Sequence, residues 1–177
     1  SSIIWLGTGE NSNPRSSMFG DGLYKSTDAG VTWARVGRAN SEHLGNLQID
    51  PRDSNVVYVA AQGPLWSSGG DRGVYKTTDG GKSWKKLGKA EGLPDGDFGR
   101  IGITISRSNP DRIYALVEAT KNGLYRSDDG GYHWELVNSD PQWVTNRTFY
   151  FQDIAVDPEN ENRVWLIYQM ISASEDG

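Results

Sequence analysis

Short apolar runs recur four times along the chain, at residues 3–6 (Ile-Ile-Trp-Leu), 56–59 (Val-Val-Tyr-Val), 113–116 (Ile-Tyr-Ala-Leu) and 164–167 (Val-Trp-Leu-Ile). Their nearly unbroken apolarity predicts strands buried on both faces. An alternating run precedes three of them: Leu47 and Ile49; Ile101, Ile103 and Ile105; Ile154 and Val156. Small or polar residues such as Gly102, Thr104 and Ala155 take the other face, which predicts an inner strand in close contact with its neighbours. Turn-rich wording at 50–55, 106–111 and 157–162 joins each alternating run to the apolar run after it. No helical period interrupts the pattern.

A second recurring unit fixes the remaining strands. Thr77-Thr78-Asp79-Gly80-Gly81-Lys82-Ser83-Trp84 returns as Ser26-Thr27-Asp28-Ala29-Gly30-Val31-Thr32-Trp33 and Ser127-Asp128-Asp129-Gly130-Gly131-Tyr132-His133-Trp134, and Ser174-Glu175-Asp176-Gly177 begins a fourth copy. In each copy the hydroxyl and carboxylate are suited to bond turn amides, and the glycine accepts a positive φ. The Trp starts a return strand and shields the turn. Three hairpins follow: 22–25 into 33–36, 73–76 into 84–87 and 123–126 into 134–137. The unit is therefore inner strand, turn, strand, loop, strand, box turn, outer strand, loop, repeating about every 50 residues as stacked or radial modules do.

The wording S/T-x-D-x-G-x-x-W resembles the Asp box, or bacterial neuraminidase repeat, of β-propellers. The stretches Gly7-Thr8-Gly9-Glu10-Asn11 and Val57-Tyr58-Val59-Ala60-Ala61-Gln62-Gly63 are most similar to bacterial sortilin-type proteins often labelled glycosyl hydrolases. The resemblance implies an all-β chain: a β-propeller segment of four-stranded antiparallel blades, about three and a half of them. The segments are 1–40, 41–91, 92–141 and 142–177, the chain entering at the second strand of one blade and leaving before the fourth strand of another. Propellers have ~4–8 blades, so the expectation is an incomplete ring. The rest of the propeller, or another protein chain, would complete it.

Composition narrows the class. Glycine supplies 22 of 177 residues, above the usual ~7%, and clusters at the recurring turns, which is turn chemistry rather than disorder. A net charge of −5 with no basic run argues against a nucleic-acid surface. The chain has no cysteine, so disulfides and thiolate metal sites are excluded. No apolar run is long enough for a helical membrane span, and the resemblance implies a periplasmic or extracellular setting.

Antiparallel order sorts the loops onto two faces. The box turns and the repetitive turns that follow each inner strand share one, and loops of variable length and content share the other, where propellers place function. The recurring scaffold residues are Asp28, Gly30, Trp33, Asp79, Gly81, Trp84, Asp129, Gly131, Trp134 and Asp176; each aspartate is occupied by its own turn, and neither metal nor cofactor is expected. Glycoside hydrolysis would need two carboxyl groups about 5–9.5 Å apart, and Glu10, Asp21, Glu42, Asp71, Glu91, Asp95, Asp97, Glu118 and Asp153 all fall on the variable face. Spacing selects no pair among them. Loop aromatics and arginines point instead to ring stacking and hydrogen bonding with a protein, peptide or carbohydrate ligand. The residues expected to carry binding are Arg15, Trp66, Arg72, Trp143 and Arg147. A binding or assembly module is thus favoured over a secreted sialidase- or xyloglucanase-like hydrolase.

Overall fold

The structure, a computed structural model, describes residues 2–10, 17–144, 153–168 and 170–177. Four antiparallel sheets follow one another along the chain. The first holds β1 (Ile4–Gly7), β2 (Leu23–Ser26) and β3 (Ala34–Gly37); the second holds β4 (Leu44–Ile49), β5 (Val57–Gln62), β6 (Arg72–Thr77) and β7 (Lys85–Leu87). The third holds β8 (Ile101–Ile105), β9 (Ile113–Val117), β10 (Gly123–Ser127) and β11 (Glu135–Asn138), and the fourth β12 (Asp153–Val156), β13 (Val164–Ile167) and β14 (Ile171–Ser174). Each strand pairs with its neighbour in sequence, as expected for propeller blades. One 3-10 turn, Lys89–Glu91, is the sole helical element among the described residues.

Three apolar layers join the sheets. Trp5, Leu23, Val57, Val59 and Tyr75 pack between the first and second, and Tyr58, Val74, Leu87, Ile113, Tyr125 and Trp134 between the second and third. Tyr114, Leu116, Leu124, Ile154, Val164 and Leu166 pack between the third and fourth. β5 and β9, covered on both sides, are buried at every position. β1 and β13, in the terminal sheets, are buried on one side, so Leu6 and Ile167 stay 47% and 40% exposed. The expected two-sided burial therefore appears wherever a sheet has two neighbours.

The box turns are built as their wording predicts. In the second, Thr77 Oγ1 donates to Asp79 Oδ1 (2.8 Å) and accepts the Gly81 amide (3.0 Å), while the Ser83 amide and hydroxyl donate to the two carboxylate oxygens (2.9 and 2.6 Å). The first repeats this with Ser26, Asp28, Gly30 and Thr32. The third repeats it with Ser127, Asp129, Gly131 and His133, the imidazole Nδ1 lying 2.5 Å from Asp129 Oδ2 in place of a hydroxyl. Ser174 Oγ likewise donates to Asp176 Oδ1. Consecutive positive φ values, 71° and 90° at Gly80 and Gly81, let the turn close.

Each box is tied to its own sheet, and the second, third and fourth are tied to the preceding sheet as well. The backbone amides of Ala29, Gly80, Gly130 and Gly177 donate to the carbonyls of Ser2, Asn55, Asp111 and Asn162 in the facing turn of the same blade. Cations reach in from the preceding sheet: Lys25 Nζ to the Gly80 carbonyl (3.0 Å), Lys76 Nζ to Gly130 (2.7 Å) and Arg126 Nη1 to Gly177 (2.7 Å). These cations pair across their strands with Trp5, Tyr58 and Tyr114, whose rings face the same junction. Arg52 adds a bridge, 2.7 Å from Asp50 and 2.9 Å from Asp111 of the next blade.

Candidate functional site

The opposite face carries the connections of unlike length. Between the second and third blades, residues 63–70 and the end of the 88–99 connection enclose a shallow cleft of about 390 Å3 lined by Leu65, Trp66, Ser67, Ser68, Arg72, Asp97, Phe98 and Gly99. Trp66 is 77% exposed and presents an indole beside the exposed Asp97 carboxylate. Phe98, which is 3% exposed, belongs to the core beneath and does not offer its ring to solvent.

Arg72 organises this cleft from β6. Its guanidinium donates to the carbonyls of Phe98 (2.6 Å), Ser67 (2.8 Å), Gly69 (3.4 Å) and Pro64. One planar cation thus pins both walls, a role suited to the five fixed donors of arginine. The loop bearing Trp66 is held in place, which lowers the entropy lost when a ligand stacks on it. Gly63 and Gly70 turn the chain with φ of 65° and 70° in positions where a Cβ would meet Gly69 O and Asn40 O.

The other side of the same connection borders a groove of about 700 Å3, floored by Leu93, Pro94, Tyr125 and Leu136 and rimmed by Lys89, Asp95 and Lys121. The connection is stiff at its start: Glu91 accepts the Gly88 amide (2.8 Å) and pairs with Lys85 (2.8 Å), which together hold its carboxyl below the usual range, and its carbonyl receives the Trp134 amide (2.7 Å).

The predicted binding residues do not form one cluster. Trp66 and Arg72 share the cleft. Trp143, 47% exposed, lines a separate groove of about 750 Å3 between the third and fourth sheets, with Leu124, Val137 and Leu166. Arg15 and Arg147 lie outside the described residues. Most carboxylates of this face are engaged within the fold: Asp21 by Tyr24, Asp71 by Arg38, Asp95 by Lys89 and Glu118 by the Arg100 amide. His43 is buried, its Nδ1 2.9 Å from the Glu10 carbonyl, which makes it a brace for the first loop.

On the box face the electrostatics are those of satisfied turns. Asp28 is held down at about 2 by the Thr32 hydroxyl and amide and the Ser26 hydroxyl; Asp79 is lowered by the equivalent Ser83 and Thr77 bonds. Desolvation pushes Asp129 up, but the His133 amide and imidazole, with Ser127, bring it to about 2. Groups so fully accepted as carboxylates are poor proton donors or free ligands at neutral pH. No cluster of three or more His, Cys, Asp or Glu suited to a metal ion occurs among the described residues, and no described helix is long and apolar enough to cross a membrane.

Comparison with known proteins follows the same lines. The chain is 29% identical over 151 residues to a xyloglucanase of a Paenibacillus species, covering 81% of this chain and 13% of that protein. It is 31% identical over 148 residues to a probable oligoxyloglucan-reducing end-specific xyloglucanase of Neosartorya fischeri, covering 81% of this chain and 17% of that one. The chain therefore spans less than a fifth of these relatives' length. A crystal structure of the Niastella koreensis GH74 enzyme matches with a TM-score of 0.60 at 21% identity, over 94% of this chain and 23% of that chain, which establishes the shared propeller fold. The family model described as Sortilin-Vps10 (sortilin, neurotensin receptor 3) matches residues 21–164, and the chain belongs to that family.

Proposed function

We propose that this propeller segment is a binding module whose contact surface is the variable-loop face, centred on the Trp66 cleft. The observation that carries the reading is an exposed indole on a loop of which three carbonyls, together with one of the facing wall, are fastened by one arginine. An aromatic plane beside a carboxylate and backbone polar groups suits a sugar ring or a peptide side chain. Arg72 acts as the brace of this site, and Trp143 belongs to the proposal as a further contact, with Arg15 and Arg147 carried over from the sequence reading. The small share of each relative that the chain covers, 13% and 17%, supports completion of the ring by further propeller sequence, and a periplasmic or extracellular setting belongs to the same proposal.

A second reading, part of a glycoside hydrolase, is favoured by the Asp97 carboxylate next to Trp66 and by relatives named xyloglucanases. It requires a second carboxyl group across the cleft. Titration with xyloglucan oligosaccharides and a panel of extended peptides, followed by tryptophan fluorescence and calorimetry, tests both. The binding reading expects Trp66→Ala to weaken the bound probe by about 2 kcal/mol or more with the unfolding midpoint unchanged. Release of reducing ends that Asp97→Asn abolishes would move the assignment to the hydrolase. Binding indifferent to Trp66 would overturn the site.

A further inference from the structure

The 88–99 connection has a depression on each side, and the two handle their charges differently. On the groove side, Lys85 pairs with Glu91 at 2.8 Å and Lys89 with Asp95 at 3.3 Å. Asp97 lines the Trp66 cleft instead; it is exposed and takes part in no hydrogen bond or ion pair among the described residues. Arg72, the cation of that cleft, turns its N–H groups into the walls, toward the carbonyls of Pro64, Ser67, Gly69 and Phe98. The cleft therefore presents an unpaired carboxylate and a free indole face. Both attract positive charge, the ring through the negative potential of its π-face. The walls follow β5 and β7 of the second sheet, which is covered by the first and the third.

Elsewhere the fold fills such an arrangement from within. Lys25 lies 4.8 Å from the centre of the Trp5 ring, Arg38 4.2 Å from Tyr75, and Lys76 5.4 Å from Tyr58 and 3.8 Å from Tyr132. Arg38 also pairs with Asp71 at 3.6 Å, so one guanidinium holds a ring and a carboxylate at once. Trp66 and Asp97 supply the same ring and carboxylate, and no cation of the described residues lies over the ring.

Resting on the binding role given to this cleft above, we propose that its occupant is an arginine side chain of a partner polypeptide. The guanidinium stacks on the Trp66 indole and forks onto the Asp97 carboxylate. A planar guanidinium does both, whereas an ammonium offers a point charge. A neutral sugar would use the ring but not the charge of Asp97. The cleft, about 390 Å3 and shallow, has room for one long side chain whose backbone stays outside. The chain's net charge of −5 draws a basic partner toward it.

The test follows the Trp66 indole N–H resonance, identified by its loss in Trp66→Ala. Blocked pentapeptides with a central arginine or citrulline, and a xyloglucan oligosaccharide, are titrated into the 177-residue chain. The arginine peptide should shift the resonance saturably. Citrulline, which keeps the shape and loses the charge, should bind about tenfold more weakly. Asp97→Asn should weaken the arginine peptide about fivefold and leave the citrulline peptide unchanged, with amide-exchange protection in β5 and β9 retained as proof of folding. Equal binding of arginine and citrulline, indifference to Asp97, or a shift caused by the oligosaccharide alone would overturn the arginine assignment while leaving Trp66 a binding residue. A resonance that none of the probes moves would overturn both the assignment and the site.

Discussion

The box face and the variable face are joined by the same strands yet use their polar groups in opposite ways. On the box face, the leading hydroxyl and the central aspartate of each complete box bond within their own turn, and the second and third turns are tied to the preceding blade by a lysine. On the variable face, one arginine does the fastening from below, and the aromatic it supports is left in solvent. The difference teaches how a repeat protein separates stability from recognition. Internal hydrogen bonding consumes the chemistry of one face and leaves that of the other available.

The largest expected effect comes from making one substitution on both faces. Gly81 and Gly96 have nearly equal φ, 90° and 88°. A Cβ at Gly81 would press on Trp5 and come 3.3 Å from Val36 Cβ, whereas one at Gly96 would meet nothing within 4 Å. Gly81→Ala should cost about 2–4 kcal/mol, backbone strain plus overpacking of an interblade contact. Gly96→Ala should cost about 1 kcal/mol, the strain alone. Chemical denaturation of both variants checks this, and equal losses would mean that the box face owes nothing special to its packing.

Next comes the hydrogen bonding inside the box. Thr77 is fully buried and its hydroxyl accepts the Gly81 amide, so Thr77→Val keeps the volume and orphans the donor, at about 1–3 kcal/mol. The acid limit follows from the same bonds. Asp28 and Asp129 have folded values near 2, below an unfolded value near 4. Their stabilisation is complete above about pH 4 and is lost as the pH falls through about 2, because the unfolded chain binds protons first. Unfolding followed from pH 5 to 2 should show this loss, with Asp79→Asn weakening the slope; a flat profile would show that the turns tolerate protonation.

How far these features can be read from the chain depends on whether they are local. The box hydrogen bonds span two to four residues, so Ser26, Asp28, Gly30 and Thr32 announce them by order alone. His133 takes the hydroxyl's place in the third box, and its offset from Asp129, the same as that of Ser83 from Asp79, is the signal that identifies it. The cationic clasps are different: Lys76 meets Gly130 across 54 positions, a pairing that exists only once strand register and blade packing are set. Arg72 is harder still, since all its acceptors are backbone carbonyls and carry no residue signature. Trp66 was legible as an exposed loop aromatic because the repeat leaves its segment unconstrained. Phe98, equally loop-borne, is buried by the adjacent inner strand, a difference that pattern alone does not encode.

The smallest effect sharpens the comparison through two lysines. Lys76 on the box side is 7% exposed, with its ammonium 2.7 Å from the Gly130 carbonyl and 3.8 Å from the centre of the Tyr132 ring. Lys89 on the variable side is in an ion pair with Asp95 at 3.3 Å, both side chains more than 70% exposed. Lys76→Met keeps the buried stem and removes a charged hydrogen bond and a cation–π contact. Tyr58 still donates to the same Gly130 carbonyl at 2.7 Å, so no acceptor is left orphaned and the cost should be about 1 kcal/mol. Lys89→Met loses a pair that water and salt already screen, and its unfolding midpoint should not move. Midpoints at low and high salt decide the matter: the Lys76 deficit should persist at high salt because its partners are buried. A deficit that salt abolishes would place the clasp among surface ion pairs and remove it from the account of how the blades are held together.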